Sequence, residues 1–143
     1  MHRSGGVIIK NEQGEILLVD RALPPLGWAC PSGHIKKEES FGKGSKREVK
    51  EEVGLKIKKM SLVGEEFLDW NECIGGFKGH DWKVFEAVKW SGEVEIDKKE
   101  IKQFKWVKKE DLDKMDLEEA WGYWFYKLGY ITKKPKRKTA NNE

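Results

Sequence analysis

The segment "SFGKGSKREVKEEVG", Ser40 to Gly54, constrains the fold more than any other part of the chain. Ser40 is a favourable N-cap and Gly54 suits the left-handed position just past a helix end, so the spacing predicts a helix over Phe41–Val53. That helix begins weakly. Gly42 and Gly44 each cost about 1 kcal/mol relative to alanine inside a helix. Lys43 occupies the place where a capping box would want Glu or Gln, and adds positive charge at the positive end of the helix dipole. Something other than local propensity has to hold the first turn.

Around this helix the sequence reads as β-rich. Residues 6–10 and 15–20 are short apolar runs separated by a polar loop ending in Gly14, and they read as a hairpin. Residues 22–32, "ALPPLGWACPS", hold three of the four prolines and read as a loop without regular structure. Residues 57–68, 82–90 and 103–107 read as strands, with a glycine-rich loop, "NECIGGFKGHD", between the first two. "KKEDLDKM" reads as a short helix. "LEEAWGYWFYKLGY" reads as an amphipathic helix with Leu117, Trp121, Trp124, Phe125 and Leu128 near one stripe. Strands mixed with a few helices point to an α/β or α+β sandwich.

Length and charge narrow the choices further. A chain of 143 residues fits one domain and needs no disulfide or metal merely to fold. The net charge of +3 arises in the last twelve residues, which carry five Lys or Arg and one Glu, so the remainder stands at −1. A basic tail on a nearly neutral body removes the simplest argument for nucleic-acid binding. The division expected is a single domain over residues 1–131 and a basic, disordered tail over 132–143. Cys30 and Cys73 lack metal-ligand spacing and read as two buried thiols, and His34 and His80 read as local hydrogen-bonding residues. No apolar run is long enough for a signal peptide or a membrane span, and the expectation is a cytoplasmic protein.

On the predicted helix, with about 100° per residue, Glu48, Glu51 and Glu52 share a face roughly 100° wide, and Gly44 lies on it too. Lys43, Lys46, Arg47 and Lys50 fall behind it, and Val49 and Val53 form the apolar ridge. Carboxylates at i,i+4 repel one another, and crowding a third beside them raises at least one pKa. A hard cation reverses that sign, and magnesium prefers such oxygen donors. Spacing alone leaves two readings open: a metal platform, and a solvated face in a protein rich in lysine and glutamate.

The stretch from Gly33 to Leu55 resembles the Nudix box, G-x5-E-x7-R-E-U-x-E-E-x-G-U with U aliphatic. The match runs through Gly33, Glu39, Arg47, Glu48, Val49, Glu51, Glu52, Gly54 and Leu55, with no fixed position missed. The resemblance extends over about residues 5–130. Three positions depart from the family's usual pattern: Ser32 replaces a second glycine, Glu38 replaces a glycine, and Gly44 with Ser45 replaces an alanine pair. The resemblance implies an α/β/α sandwich with a mixed β-sheet and a hydrolase of nucleoside diphosphate derivatives that uses Mg2+, or Mn2+. It implies that Glu48, Glu51, Glu52 and the Gly33 carbonyl bind metal, and that Glu39 and Arg47 orient the glutamates through an ion pair. It implies, as the catalytic base, either a box glutamate, Glu48 or Glu52, or the later Glu100.

Substrate class is less constrained. Marks associated with ADP-ribose, dinucleoside polyphosphate and NADH specificity are missing; Trp70 stands where the first of these has a proline. The expected substrate is a nucleotide-type small molecule, of the nucleoside triphosphate or nucleotide sugar class. Arg21 is a candidate phosphate contact, and Trp70 and Phe77 are candidates for stacking on a base. An RNA 5′-end substrate and a non-catalytic nucleotide-binding module are the alternatives, and a homodimer stays open.

Overall fold

Residues 7–9 and 16–19 are almost wholly excluded from solvent, and their side chains divide between two separate cores. Ile8, Ile16 and Leu18 join one core with Trp121, Trp124 and Phe125. Val7, Ile9, Leu17 and Val19 join the other with Val49 and Val53. Alternate residues of these strands thus face opposite layers, the pattern of sheets covered on both faces.

The computed structural model describes residues 2–72 and 78–133. The elements run β1 (His2–Ile8), β2 (Ile16–Arg21), β3 (Trp28–Ala29), β4 (Ser32–His34), α1 (Phe41–Val53), β5 (Lys56–Glu72), β6 (Lys78–Ser91) and β7 (Ile101–Val107). A 3₁₀ helix over Lys109–Lys114 and α2 (Glu119–Lys127) follow. A four-stranded mixed sheet has the order β4-β1-β6-β5, with β1 parallel to β6 and antiparallel to β4. A three-stranded antiparallel sheet has the order β3-β2-β7. Helix α1 lies against β1, β4 and β5, which gives the α/β/α sandwich with a mixed sheet. No described helix is long and apolar enough to cross a membrane.

The structure corrects several sequence expectations. The N-terminal hairpin exists only at its base, where Lys10 bridges Ile16 and Leu17 N–H donates to Ile9 at 2.9 Å. Beyond it β1 and β2 separate into different sheets, because each has apolar residues to bury on both faces. The proline-rich loop is not wholly irregular: β3 pairs Ala29 with Val19, and β4 begins at Ser32. Strands β5 and β6 are longer than expected and pair with each other, so that Lys78 to Asp81, read as loop, belong to β6. Helix α2 is shorter: Leu117 precedes it in a bridge to Trp28, and Leu128 caps it. Cys30 is buried, while Cys73 and the basic tail from residue 134 lie outside the described residues.

The predicted bounds of α1 hold to the residue. Ser40 Oγ accepts from Lys43 N–H at 3.1 Å, and Gly54, at φ 74°, donates to the Lys50 carbonyl. Tertiary contacts secure the weak first turn. Arg3 of β1 donates to the carbonyls of Lys36, Lys37 and Glu39, and its guanidinium lies 5.1 Å from the Phe41 ring centre. Lys83 lies over the same ring at 4.8 Å. The small residues of the turn differ in role. A Cβ on Gly44 would meet Ile35 Cδ1 at 2.7 Å and Glu39 Oε1 at 2.9 Å, whereas one on Gly42 would make only an ordinary contact with Met60 at 3.6 Å.

The two glycines should therefore respond in opposite directions to alanine. Gly42→Ala is expected to stabilise by about 0.5–1 kcal/mol through helix propensity. Gly44→Ala is expected to destabilise by about 1–3 kcal/mol through overpacking. Urea midpoints at constant m-value check both.

Candidate active site

The site is assembled where α1 crosses the edge formed by β4 and β1. Gly33 of β4 pairs with Gly5 of β1, and the Glu48 carboxylate lies so close to Gly33 that any Cβ there would collide with it. Ser45 makes the same demand of Gly5. One turn further along, Glu52 is only 4% exposed and accepts from the Ser32 N–H at 3.2 Å. Glu51, on the outer side, keeps 53% of its side-chain surface exposed. The helix thus presents three carboxylates at graded depth.

Arg47 holds Glu39, Glu48 and Glu51. Its Nε and Nη2 donate to the two oxygens of Glu39 at 2.7 and 2.9 Å, the forked geometry that favours Arg over Lys. Its Nη1 reaches Glu48 at 3.1 Å and Glu51 at 3.0 Å, and Nη2 also donates to the His34 carbonyl at 3.1 Å. Glu39 receives a further bond from the Lys36 N–H at 2.9 Å. Although the periodicity put Arg47 behind the acidic face, its long side chain brings the guanidinium round to it. These bonds hold the Glu39 carboxyl down at about 2.

The electrostatics reverse toward the interior. Burial raises Glu48 to about 7, with Arg47 opposing and Glu51 and Glu100 adding repulsion. Burial also raises Glu52 well above the usual carboxylate range, reinforced by Glu48 and Glu100 and opposed by Arg21 and the Ser32 amide.

These carboxylates line a cleft of about 250 Å³. Its wall brings together Gly33, Glu48, Glu52, Arg21 and Glu100 from the sequence-predicted set. Glu100, half-buried just before β7, is held by its backbone: its carbonyl accepts from the Ala22 N–H and its N–H donates to the Asp97 carbonyl. Arg21, at the end of β2, donates through Nε to the Pro25 carbonyl at 2.6 Å. Trp70 is not brought to this wall; it packs against the α2 core, edge-on to Tyr123 at 5.5 Å. Phe77 lies outside the described residues. Trp82 lines the cleft while also belonging to the core.

Sequence reasoning missed two features of the cleft. Glu118, 4% exposed, lines it and caps α2 by accepting from the Ala120 and Trp121 amides; burial raises its pKa. Acidic residues before an amphipathic run signal a helix start, but nothing local points such a residue into a cleft. The second feature is a histidine group. His34 and His80, read as locally bonded, meet each other across the sheet with Nε2 atoms 3.2 Å apart. His2 joins them because β1 pairs it with His80. The His34 ring lies partly within the cleft wall, and this partial burial lowers its pKa, followed by His80, His2 and Arg21.

A family model of the NUDIX domain matches residues 1–127, and the chain belongs to the Nudix family. An RNA pyrophosphohydrolase of Marinomonas sp. (strain MWYL1) is 37% identical over 60 residues, 42% of this chain and 37% of that protein. The nucleoside triphosphatase NudI of Klebsiella pneumoniae (strain 342) is 29% identical over 123 residues, 79% of this chain and 86% of that one. The crystal structure of a MutT protein from Methanosarcina mazei Go1 superposes with a TM-score of 0.74 at 26% identity, covering 93% of this chain and 96% of its own. The chain spans between 37% and 60% of the length of several curated relatives it matches.

The shifted acids set a pH dependence in the absence of divalent cations. A carboxyl whose folded pKa is raised keeps its proton longer in the folded state, so stability falls as pH rises from the ordinary carboxylate value through the raised one. Glu48, Glu52 and Glu118 all act in this sense, and His34, whose pKa is lowered, opposes them. The contribution of Glu39 is complete above its ordinary value and is lost only as pH falls toward about 2. In EDTA, the thermal midpoint is expected to be lower at pH 8 than at pH 5, and Glu52→Gln should flatten that slope. Differential scanning fluorimetry across the range checks it.

Proposed function

We propose that this chain is a metal-dependent pyrophosphohydrolase that cleaves the diphosphate linkage of a nucleoside triphosphate or a related nucleoside diphosphate derivative. The observation that carries the proposal is the convergence of Glu48, Glu52 and Glu100 on one cleft, with Glu51 and Gly33 beside them. Membership of the Nudix family supports the reaction class. The nucleoside triphosphatase relative supports the substrate class, since the match spans most of both chains.

The residues suit a hard divalent cation. The donors are carboxylates and a backbone carbonyl, all oxygen, and two of the carboxylates are buried, with Glu48 close enough to raise the pKa of Glu52. Glu48, Glu51, Glu52 and the Gly33 carbonyl are the proposed ligands, and magnesium or manganese the proposed cation. When bound, such a cation neutralises the diphosphate oxygens and acidifies the attacking water. The protein's own part is orientation and proton transfer. Arg47 and Glu39 fix the outer glutamates, and Ser32 fixes Glu52. Arg21 carries the positive charge proposed to contact a phosphate on the wall. Water attacks phosphorus, the bridging P–O bond breaks, and a cleft carboxylate accepts the proton. Glu100 is the proposed acceptor, because it lies on the cleft wall but off the helix and is not needed as a ligand.

Glu52→Gln is expected to lower magnesium-supported hydrolysis of nucleoside triphosphates by about 10²-fold or more with the fold intact. Activity retained within a few-fold would remove this assignment of the site. Glu39→Gln, which spares every proposed ligand, should weaken magnesium binding by about 10–100-fold and leave activity at saturating metal nearer to normal. A magnesium titration of the rate separates the two effects.

A further inference from the structure

We propose that His2, His34 and His80 form a second cation site on the cleft wall, suited to zinc, cobalt or nickel. It is built from different residues than the glutamate site and does not depend on the function proposed for that site.

Sheet pairing brings the three together from distant parts of the sequence. His2 is the register partner of His80 in the parallel pair of β1 and β6, and His34 is opposite Ser4 in the antiparallel pair of β1 and β4. His2 and Ser4 are two residues apart on one strand, so all three imidazoles stand on the same face. One ligand nitrogen from each lies within 4.8 Å of the others.

The spacing is that of a metal site that has not closed. Zinc–nitrogen bonds of about 2.0–2.1 Å at tetrahedral angles place ligand nitrogens about 3.3 Å apart. The Nε2 atoms of His34 and His80 are already 3.2 Å apart. Their ring planes differ by only 12° with centres 5.2 Å apart, so the two nitrogens point at each other nearly head-on. A hydrogen bond there requires one ring to donate and the other to accept. A cation takes the place of that shared proton after a modest tilt of the rings. His80 is the fixed member, only 2% exposed, whereas His2 is half-buried and His34 exposed, so the outer two have room to close on it.

The donor set decides which cations fit. Three neutral imidazoles suit borderline metals and give magnesium, which prefers oxygen, little reason to bind. Three protein ligands also leave a fourth tetrahedral position for water or an anion. His34 and His80 both line the cleft, so that position is available to an anionic group held there.

The test uses the untagged, metal-free full chain with saturating magnesium to occupy the oxygen-donor site. Titration with Co2+ is expected to give one equivalent of the intense visible ligand-field absorption of a four-coordinate, nitrogen-rich centre, displaced by Zn2+. His2→Ala and His34→Ala, both away from the fully buried position, should each weaken Co2+ binding by more than about tenfold, with circular dichroism unchanged. Glu52→Gln should leave the absorption in place even if it shows that the glutamate reading is wrong. Absence of the absorption in the native chain, or its survival in either histidine variant, overturns the proposal.

Discussion

The guanidinium of Arg47 is the interaction on which the site depends. Arginine has five N–H donors in a fixed plane, and here five acceptors meet them: two oxygens of Glu39, one each of Glu48 and Glu51, and the His34 carbonyl. One side chain thereby ties the middle of α1 to the loop before it and to the backbone of β4. The position of Glu48 against Gly33 follows from that tie, because the helix cannot slide along the strand without breaking several charge-assisted bonds at once. Lysine, a point charge on a flexible stem, has no way to reproduce the fork.

Stability and function pull apart across the same helix. The outer carboxylates are compensated by Arg47, but Glu52 is buried with one backbone amide for a partner, and Glu48 is raised despite its contact with Arg47. A chain selected only to fold would place valines there, as it does at Val49 and Val53 on the adjoining ridge. Crowded, desolvated carboxylates in a cleft are the kind of local inconsistency that marks a functional site. The covering layers meet the cost of this tension. Trp121 packs on Gly6 and Trp124 on Gly64, so the second helix approaches the sheet closely and the core is well filled.

How much of this could be read in advance follows the range of the interactions. The bounds of α1 were legible because Ser40 and Gly54 act within one turn of themselves. The acidic face was legible because helical periodicity is local. The hairpin is shorter than its sequence suggests because residues 7–9 and 16–19 are apolar on both faces, and period alone cannot say whether such neighbours share a sheet. The longer β5 and β6 escaped because each is extended by pairing with the other. The hold on the first turn of α1 came from Arg3 and Lys83, far away in sequence. The histidine group was invisible for the same reason, since no spacing relates positions 2, 34 and 80 until the strands are in register. Glu118 carries no local mark of its place on the cleft, because only the packing of α2 against the sheets brings it there.

Ser32 shows how a departure from the family pattern can be absorbed. A glycine at this position would supply only its amide; serine supplies the amide to Glu52 and a hydroxyl that accepts from Trp121 Nε1 and donates to the Cys30 carbonyl, both at 3.2 Å. Each of these groups is buried, so each would incur a desolvation cost if left unpaired. The hydroxyl satisfies an indole that the α2 core brings to the sheet, and the amide next to it steadies the deepest carboxylate of the site. The added side chain therefore connects the tryptophan-rich core of α2 to the acidic face of α1 through one residue of β4. A tryptophan in the core and a serine in place of glycine are best understood as one feature, because neither is fully paired without the other.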